Sequence, residues 1–359
     1  MIAGYGMSAL KPKKRSKGIE TLAVPTVKQV AERAGVCTAT VSRVLSGAPY
    51  VSDELNRRVR EAARELNYQL NRTARNLRTR TSRAVGVVIP DIENPFFGRV
   101  VCGIEDVLQA AGYSLLLSHS NENPNREQIN LRTFRAEGVA GIIFTSSSTE
   151  MSEYEQLSKT GMPLVAVSRI LPGIKVDTVT VTNSEGAHTA VSHLIALGHK
   201  RIGMINGPVW ISTSRERLLG YEQAFAAAGL PVPQDLVQHA DWRQTGGYHA
   251  MQTLLQTVPP TAVFVGSNLL TLGALQAIHE RGLSIPGDIA VVGFDDLPWA
   301  TSLQPPLTVV AQPAFEVGVT AARLLLDRLR EPARPPRHVT LETRLIVRAS
   351  CGAGIRHSS

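Results

Sequence analysis

From Ala84 onward the chain repeats one unit, a short run of β-branched and aliphatic residues followed by a stretch with helical spacing. AVGVVI (84–89), SLLLS (114–118), GIIF (141–144) and PLVAV (163–167) read as strands, with helices expected at about 95–111, 124–137 and 150–160. A second series follows in RIGMIN (201–206), TAVFVG (261–266) and IAVVGF (289–294), with helices at about 184–197, 214–229, 246–257 and 268–281. Such alternation calls for an α/β fold, parallel sheets covered by helices on both faces, and two series imply two lobes. The boundaries expected are an N-lobe at about 84–182 and 313–340 and a C-lobe at about 183–312 and 341–352, with a tail at 353–359.

In open sheets of this kind ligands bind beyond the carboxyl ends of the strands, which between two lobes is a cleft that can close. Reading just past the strand ends selects Asn94, Phe96 and Phe97, then Ser146 and Ser147, then Ser168 and Arg169. In the second series it selects Thr213 and Arg217, Trp242, Asn268 and Asp295. Aromatics such as Phe96 and Trp242 suit a sugar or base face, although each is equally suited to a core; Asp295 and Arg217 supply charged hydrogen bonds, and charges are rarely buried without a partner.

The formal charge of +8 is concentrated near the amino end. Residues 1–83 hold 17 Lys and Arg against 6 Asp and Glu, and the rest of the chain holds 21 against 24. Positive charge gathered on a small segment is the footprint of a phosphate-rich partner, because neutralised phosphates release condensed counterions. Residues 1–24 lack periodicity and read as a disordered basic tail. Thr26 and Gln29 then form a capping-box pair, and Val27, Val30, Ala31 and Ala34 share one helical face that Gly35 terminates. A second short helix begins near Thr38, with Val41, Val44 and Leu45 turned back to the first. This is a helix-turn-helix. Its outward face carries Ala39, Ser42, Arg43 and Ser46, slim enough to enter a major groove about 12 Å wide, where Arg43 can pair with guanine O6 and N7. A third helix is expected from Ser52, with Leu55, Val59, Ala62 and Leu66 inward. In NRTARNLRTRTS (71–82) Ala74 and Leu77 lie three residues apart among arginines, the pattern of an apolar wedge inserted into a minor groove, or of a plain linker.

TVKQVAERAGVCTATVSRVLSG, VSDELNRRVREAARELNY and NRTARNLR, continued by VGVVIPDIENPFF, LGHKRIG, VVGFDD and PPLTVVAQP, closely resemble the lactose-repressor (LacI/GalR) family of bacterial transcription regulators over roughly residues 26–352. The resemblance implies a three-helix headpiece at 25–70, a hinge helix at 71–83 and a two-lobed periplasmic-binding-protein-like domain. It also implies a homodimer that reads a near-palindromic double-stranded DNA operator under the control of a small-molecule effector. On that resemblance Thr38 and Ala39 discriminate operators and Arg43 reads a base. Thr26, Thr40, Ser42 and Asn71 match backbone-positioning or linker contacts, Tyr50 lies near the DNA, and Leu77 is the minor-groove lever. Cys37 departs from the usual serine, a poorer helix cap by about 1 kcal/mol, or less if Thr38 takes over the role. Ser168 and Asn268 stand where many sugar-binding relatives have aspartate, while Arg169 and Arg217 are kept. That points to a positive cleft and an anionic ligand such as a sugar acid or phosphorylated sugar, with Asp91, Glu93 and Asp295 as the possible offset.

Other classes find little support. There is no G-x-x-x-x-G-K-[ST], G-x-S-x-G or H-E-x-x-H motif, and His188 and His193 are five residues apart on one expected helix, so neither an enzyme nor a metal or other cofactor is expected. Cys37, Cys102 and Cys351 are scattered without C-x-x-C spacing. No apolar run is long enough for a membrane span and no signal-like stretch opens the chain, so a cytoplasmic repressor, acting as a dimer, is the expectation. The alternative is a periplasmic-type small-molecule-binding protein without DNA binding, which the two-lobed part alone would suit equally well.

Overall fold

A computed structural model of the chain describes residues 25–45, 51–68, 82–148, 152–256 and 259–353. The chain divides into two units, Met1–Thr81 and Ser82–Ser359.

In the first unit, helix α1 (Val27–Ala34) starts at the capping box: Thr26 Oγ1 accepts from the Gln29 backbone at 3.4 Å, and Gln29 Oε1 accepts from the Thr26 backbone at 2.7 Å. It ends at Gly35, whose left-handed φ of 62° turns its N–H back to the Ala31 and Glu32 carbonyls. Helices α2 (Thr38–Leu45) and α3 (Asp53–Glu65) complete a three-helix bundle. Val30, Ala31, Ala34, Val41, Val44 and Val59 are buried between them together with Ala62 and Ala63. Leu55 and Leu66 sit half-buried at the margin of this core. Ser52 caps α3 by accepting from the Leu55 backbone at 3.4 Å, and Arg58 donates to the Ala34 carbonyl at 2.6 Å. The Arg33–Glu65 pair at 2.7 Å is exposed, and such pairs contribute at most about 1 kcal/mol, so the bundle rests on its small apolar core and its caps.

The second unit begins with β1 (Ala84–Ile89), α4 (Pro95–Ala110), β2 (Ser114–His119), α5 (Pro124–Ala136), β3 (Ile142–Phe144), α6 (Ser152–Lys159), β4 (Leu164–Val167) and β5 (Asp177–Val181). It continues with α7 (Asn183–Ala196), β6 (Ile202–Asn206), α8 (Ser212–Ala227), β7 (Val237–His239), α9 (Gln244–Gln256), β8 (Ala262–Val265), α10 (Asn268–Glu280), β9 (Ala290–Phe294) and β10 (Thr308–Ala311). Last come α11 (Ala314–Arg330), β11 (His338–Leu341) and β12 (Arg344–Ile346). One sheet has the order β2-β1-β3-β4-β5-β11 and is wholly parallel; the other has the order β7-β6-β8-β9-β10-β12, with only β12 antiparallel. Each order reverses next to its first strand, between β1 and β3 and between β6 and β8, which is where open α/β sheets make room for a ligand. The strands β1, β3, β4, β6, β8 and β9 are buried almost throughout, the reason their sequences are apolar without alternation.

Three chain segments pass between the sheets, after β5, β10 and β11. Two of them are tied together: the Thr343 N–H donates to Thr182 Oγ1 at 2.9 Å, and Thr343 Oγ1 donates to the Thr182 carbonyl at 3.1 Å. The returning α11 is locked to β5 by Asp177, a fully buried carboxylate that accepts from Arg328 at 3.0 Å, Arg334 at 2.9 Å and the Arg337 backbone at 2.8 Å. Such a carboxylate tolerates burial only because every donor reaches it together. Helix α8 crosses α7 so closely that a Cβ on Gly220 would stand 2.0 Å from the Ser184 carbonyl oxygen.

Candidate functional site

In the first unit Thr38, Ala39 and Arg43 are exposed on α2, Thr40 and Ser42 are half-buried beside them, and Thr26 is exposed at the start of α1. Val41 and Val44 hold the opposite face of α2 in the core, so burial of two valines aims a polar strip outward. Cys37 precedes this helix with its Sγ 3.2 Å from Thr40 Oγ1, and that hydrogen bond holds the exposed thiol below its ordinary range. Ser46, Tyr50, Asn71, Ala74 and Leu77 lie outside the described residues, as do residues 1–24 and nearly all of the 71–83 segment.

In the second unit one cavity of about 440 Å³, counted to its mouth, lies at the carboxyl ends of both sheets. From the first sheet it is lined by Asn94, Phe96, Phe97, Ser168 and Arg169. Asn94 caps α4, accepting from the Phe96 backbone at 3.0 Å, which fixes the first turn and its two rings; these meet edge to face with centroids 5.1 Å apart. From the second sheet come Thr213, Arg217, Trp242 and Asp295. Ser168 and Asp295 each directly follow the fourth strand of their own lobe, β4 and β9, and both hold the left-handed backbone region, φ 67° and φ 78°. A non-glycine residue there costs about 1–3 kcal/mol, a strain that collects at binding sites.

Arg217 is buried between aromatic rings, with its guanidinium carbon 3.7 Å from the Phe294 centroid and 5.9 Å from that of Trp242. It donates Nε–H to Asn183 Oδ1 at 3.0 Å and Nη1–H to the Gly266 carbonyl. Burial pulls its pKa down to about 10, with Asp295 and Glu216 opposing the fall. Burial likewise pushes Glu216 above the usual carboxylate range, a hydrogen bond from Asn183 partly offsetting it.

Three of the residues selected past the strand ends are placed otherwise. Asn268 is buried away from the cavity, where its Nδ2 donates to Asp295 Oδ2 at 2.8 Å and to Asn94 Oδ1 at 2.9 Å. Ser146 and Ser147 line an adjoining pocket and hold Glu127, which is 1% exposed: Ser146 Oγ donates to it at 2.7 Å, the Ser147 backbone at 2.5 Å and the Tyr154 hydroxyl at 2.5 Å. Asp91, Glu122, Ser267 and Gln312 line the main cavity as well and were not selected as contacts. Strand-end spacing would have found Glu122 and Gln312, which follow β2 and β10, but β10 is too short to read.

These additions correct the expected electrostatics. The lining holds three carboxylates, Asp91, Glu122 and Asp295, against the two guanidiniums of Arg169 and Arg217. Arg169 is moreover engaged by both oxygens of Glu122, at 2.6 and 2.8 Å. Replacing two aspartates by Ser168 and Asn268 therefore does not make the cleft positive. Gln312 donates to Asp295 Oδ1, so this carboxylate too is already oriented.

A helix-turn-helix unit followed by a two-lobed unit with a polar cleft defines a class, the metabolite-responsive transcription regulators. Residues 26–71 match the family described as bacterial regulatory proteins, lacI family, and residues 191–351 match the periplasmic binding protein-like domain. The chain is 34% identical over 327 residues to catabolite control protein A of Priestia megaterium, covering 90% of this chain and 98% of that protein. Among solved structures, a transcriptional regulator CelR–cellobiose complex aligns with a TM-score of 0.71 and 33% identity, covering 91% of this chain and 99% of that one. The lac repressor dimer bound to operator and the anti-inducer ONPF aligns with a TM-score of 0.82 and 27% identity, over 91% and 99% of the two chains. The chain belongs to the lacI family of bacterial regulatory proteins. It is a DNA-binding transcription regulator, which sets aside the transport-type reading. Among the described residues no helix is long and apolar enough to cross a membrane.

Proposed function

We propose that this chain is a repressor without catalytic activity, acting in the cytoplasm as a homodimer on near-palindromic operator DNA and controlled by a neutral, polyhydroxylated metabolite held between its lobes. The observation that carries the reading is convergence: polar side chains from the ends of both sheets face one cavity, and the Asn268 to Asn94 bond joins the lobes directly beside it. Asp91 and Asp295 accept hydroxyl protons, Arg217 donates from a fixed fork, and Phe96, Phe97 and Trp242 offer faces to C–H surfaces. An engaged Arg169 and an excess of carboxylate favour a neutral sugar or related polyol over a sugar acid.

On the DNA side, Arg43 pairs with a guanine, Thr38 and Ala39 set base preference, and Thr26, Thr40 and Ser42 position the backbone. Ser46, Tyr50, Asn71, Ala74 and Leu77 keep the roles their sequence positions imply. A ligand with unequal affinity for the open and closed lobes shifts the balance between them, and the DNA occupancy of the dimer follows by linkage.

The test is a gel shift against the DNA upstream of the protein's own gene, with a chain truncated before Ala84 as the control. The full chain is expected to bind, the truncated chain to lose binding, and a neutral sugar found by thermal shift to alter the full chain's affinity. Arg217→Lys, which keeps the charge but removes the planar fork, is expected to leave ligand-free DNA binding intact and to abolish the sugar effect. Equal DNA binding with and without the first 83 residues would overturn the reading.

A further inference from the structure

We infer that the cleft has a second compartment and that its ligand consists of two rings joined by a glycosidic bond, the inner a polyol and the outer lying against Trp210 and Trp242. The inference rests on the effector reading of the cleft and adds to it. A second cavity of about 820 Å³ lies beside the first, and Glu122 and Trp242 line both, so the two are continuous. Their chemistry differs. The inner cavity is walled by carboxylates, guanidiniums and amides, whereas the outer one is walled chiefly by Val209, Trp210, Ile211 and Trp242, with His239 among them.

Two features point to an occupant. Trp210 is 58% exposed and Val209 49% exposed at the mouth of this polar cleft, and the facing Ile170 of the other lobe is 39% exposed. Large apolar groups gathered at one rim mark a surface that something covers. The loop bearing them is fixed, because Arg215 donates to the Trp210 carbonyl at 2.8 Å. The second feature is Trp242 Nε1, a buried donor with no partner on the wall shared by the two compartments. A buried N–H left unpaired is uncommon in a native fold, and an oxygen or nitrogen acceptor near the inter-ring linkage would satisfy it. His239 donates Nδ1–H to the Gly207 carbonyl at 3.0 Å, which makes its other ring nitrogen an acceptor for the outer ring. Both the second sugar of a disaccharide and the base of a nucleoside have this chemistry.

Calorimetry on the full chain separates them, using matched probes: glucose against cellobiose and maltose, and ribose against adenosine and cytidine. In one pair the two-ring member is expected to bind at least about tenfold more tightly than its one-ring partner. Trp210→Ala, a change at an exposed side chain, is expected to remove that advantage and to leave the one-ring affinity unchanged, while Trp210→Phe keeps most of it. Equal affinities within every pair, equal weakening of both members by Trp210→Ala, or no binding by any probe would overturn the two-ring ligand. Asp295→Asn serves as the control on the inner site. If it abolishes binding of both members while Trp210→Ala changes nothing, only the outer compartment fails; if two-ring binding survives it, the effector reading of the inner cavity fails.

Discussion

Asn268 Nδ2 reaches Asn94 Oδ1 at 2.9 Å, so an amide at the start of α10 in one lobe grips the residue that caps α4 in the other. The same nitrogen reaches Asp295 Oδ2 at 2.8 Å, which requires a donor at this position. Aspartate cannot serve. Asn268→Asp sets a second carboxylate against Asp295 and leaves the Asn94 oxygen without its partner, at a cost of about 1–3 kcal/mol. The expected outcome is a lower melting temperature and a larger radius of gyration by small-angle scattering. Unchanged values of both would show that the lobes are held by other contacts.

Arg43 tests the first unit. Arg43→Ala is expected to weaken specific operator binding by about 1–3 kcal/mol and to relax the preference at one base pair, with little change in binding to unrelated DNA. Fluorescence anisotropy on the upstream DNA and on a scrambled duplex measures both. A uniform loss across sequences would reassign Arg43 to phosphate contact.

Gly220 lies at a helix crossing with no room for a side chain, since a Cβ would stand 2.0 Å from the Ser184 carbonyl oxygen. Gly220→Ala is expected to destabilise the chain by about 1–3 kcal/mol through overpacking, although alanine is the better helix former. Urea denaturation measures it, and a stabilised variant would mean that α7 and α8 slide apart freely.

His193 sets an acid limit. Burial lowers its pKa from the usual 6.5, and its Nε2 lies 3.3 Å from Cys351 Sγ. With the folded value below the unfolded one, the unfolded chain binds more protons in the window between them. Stability is therefore full above pH 6.5 and is lost as the pH falls from there through the folded value. His193→Gln is expected to flatten the melting temperature between pH 7 and the depressed pKa. An unchanged pH profile would place the acid sensitivity in other groups.

How much of this was legible in the sequence depended on length and range. Helices α1 to α3 and strands such as β1 and β9 carry enough apolar residues at one spacing to be read directly. Strand β5, DTVTV, is fully buried yet reads as polar, because Asp177 is made tolerable by arginines some 150 residues away and the threonines by bonds to β11. Strands β7 and β12 are three residues each, too short for any periodicity. The cleft was found in outline because strand ends mark it. Its charge was misjudged because the pairing of Arg169 with Glu122 joins residues 47 apart, and nothing local to either shows it. Asn268 was singled out for the acid it lacks, whereas its role as a link between lobes depends on a partner 174 residues away.

The left-handed turns at Ser168 and Asp295 occupy the same station in each half, directly after its fourth strand. A kink recurring at one topological address is the mark of an ancestral half that was duplicated and then diverged. The two jaws thus share a blueprint, and selectivity among metabolites evolves in the side chains and loops grafted onto it.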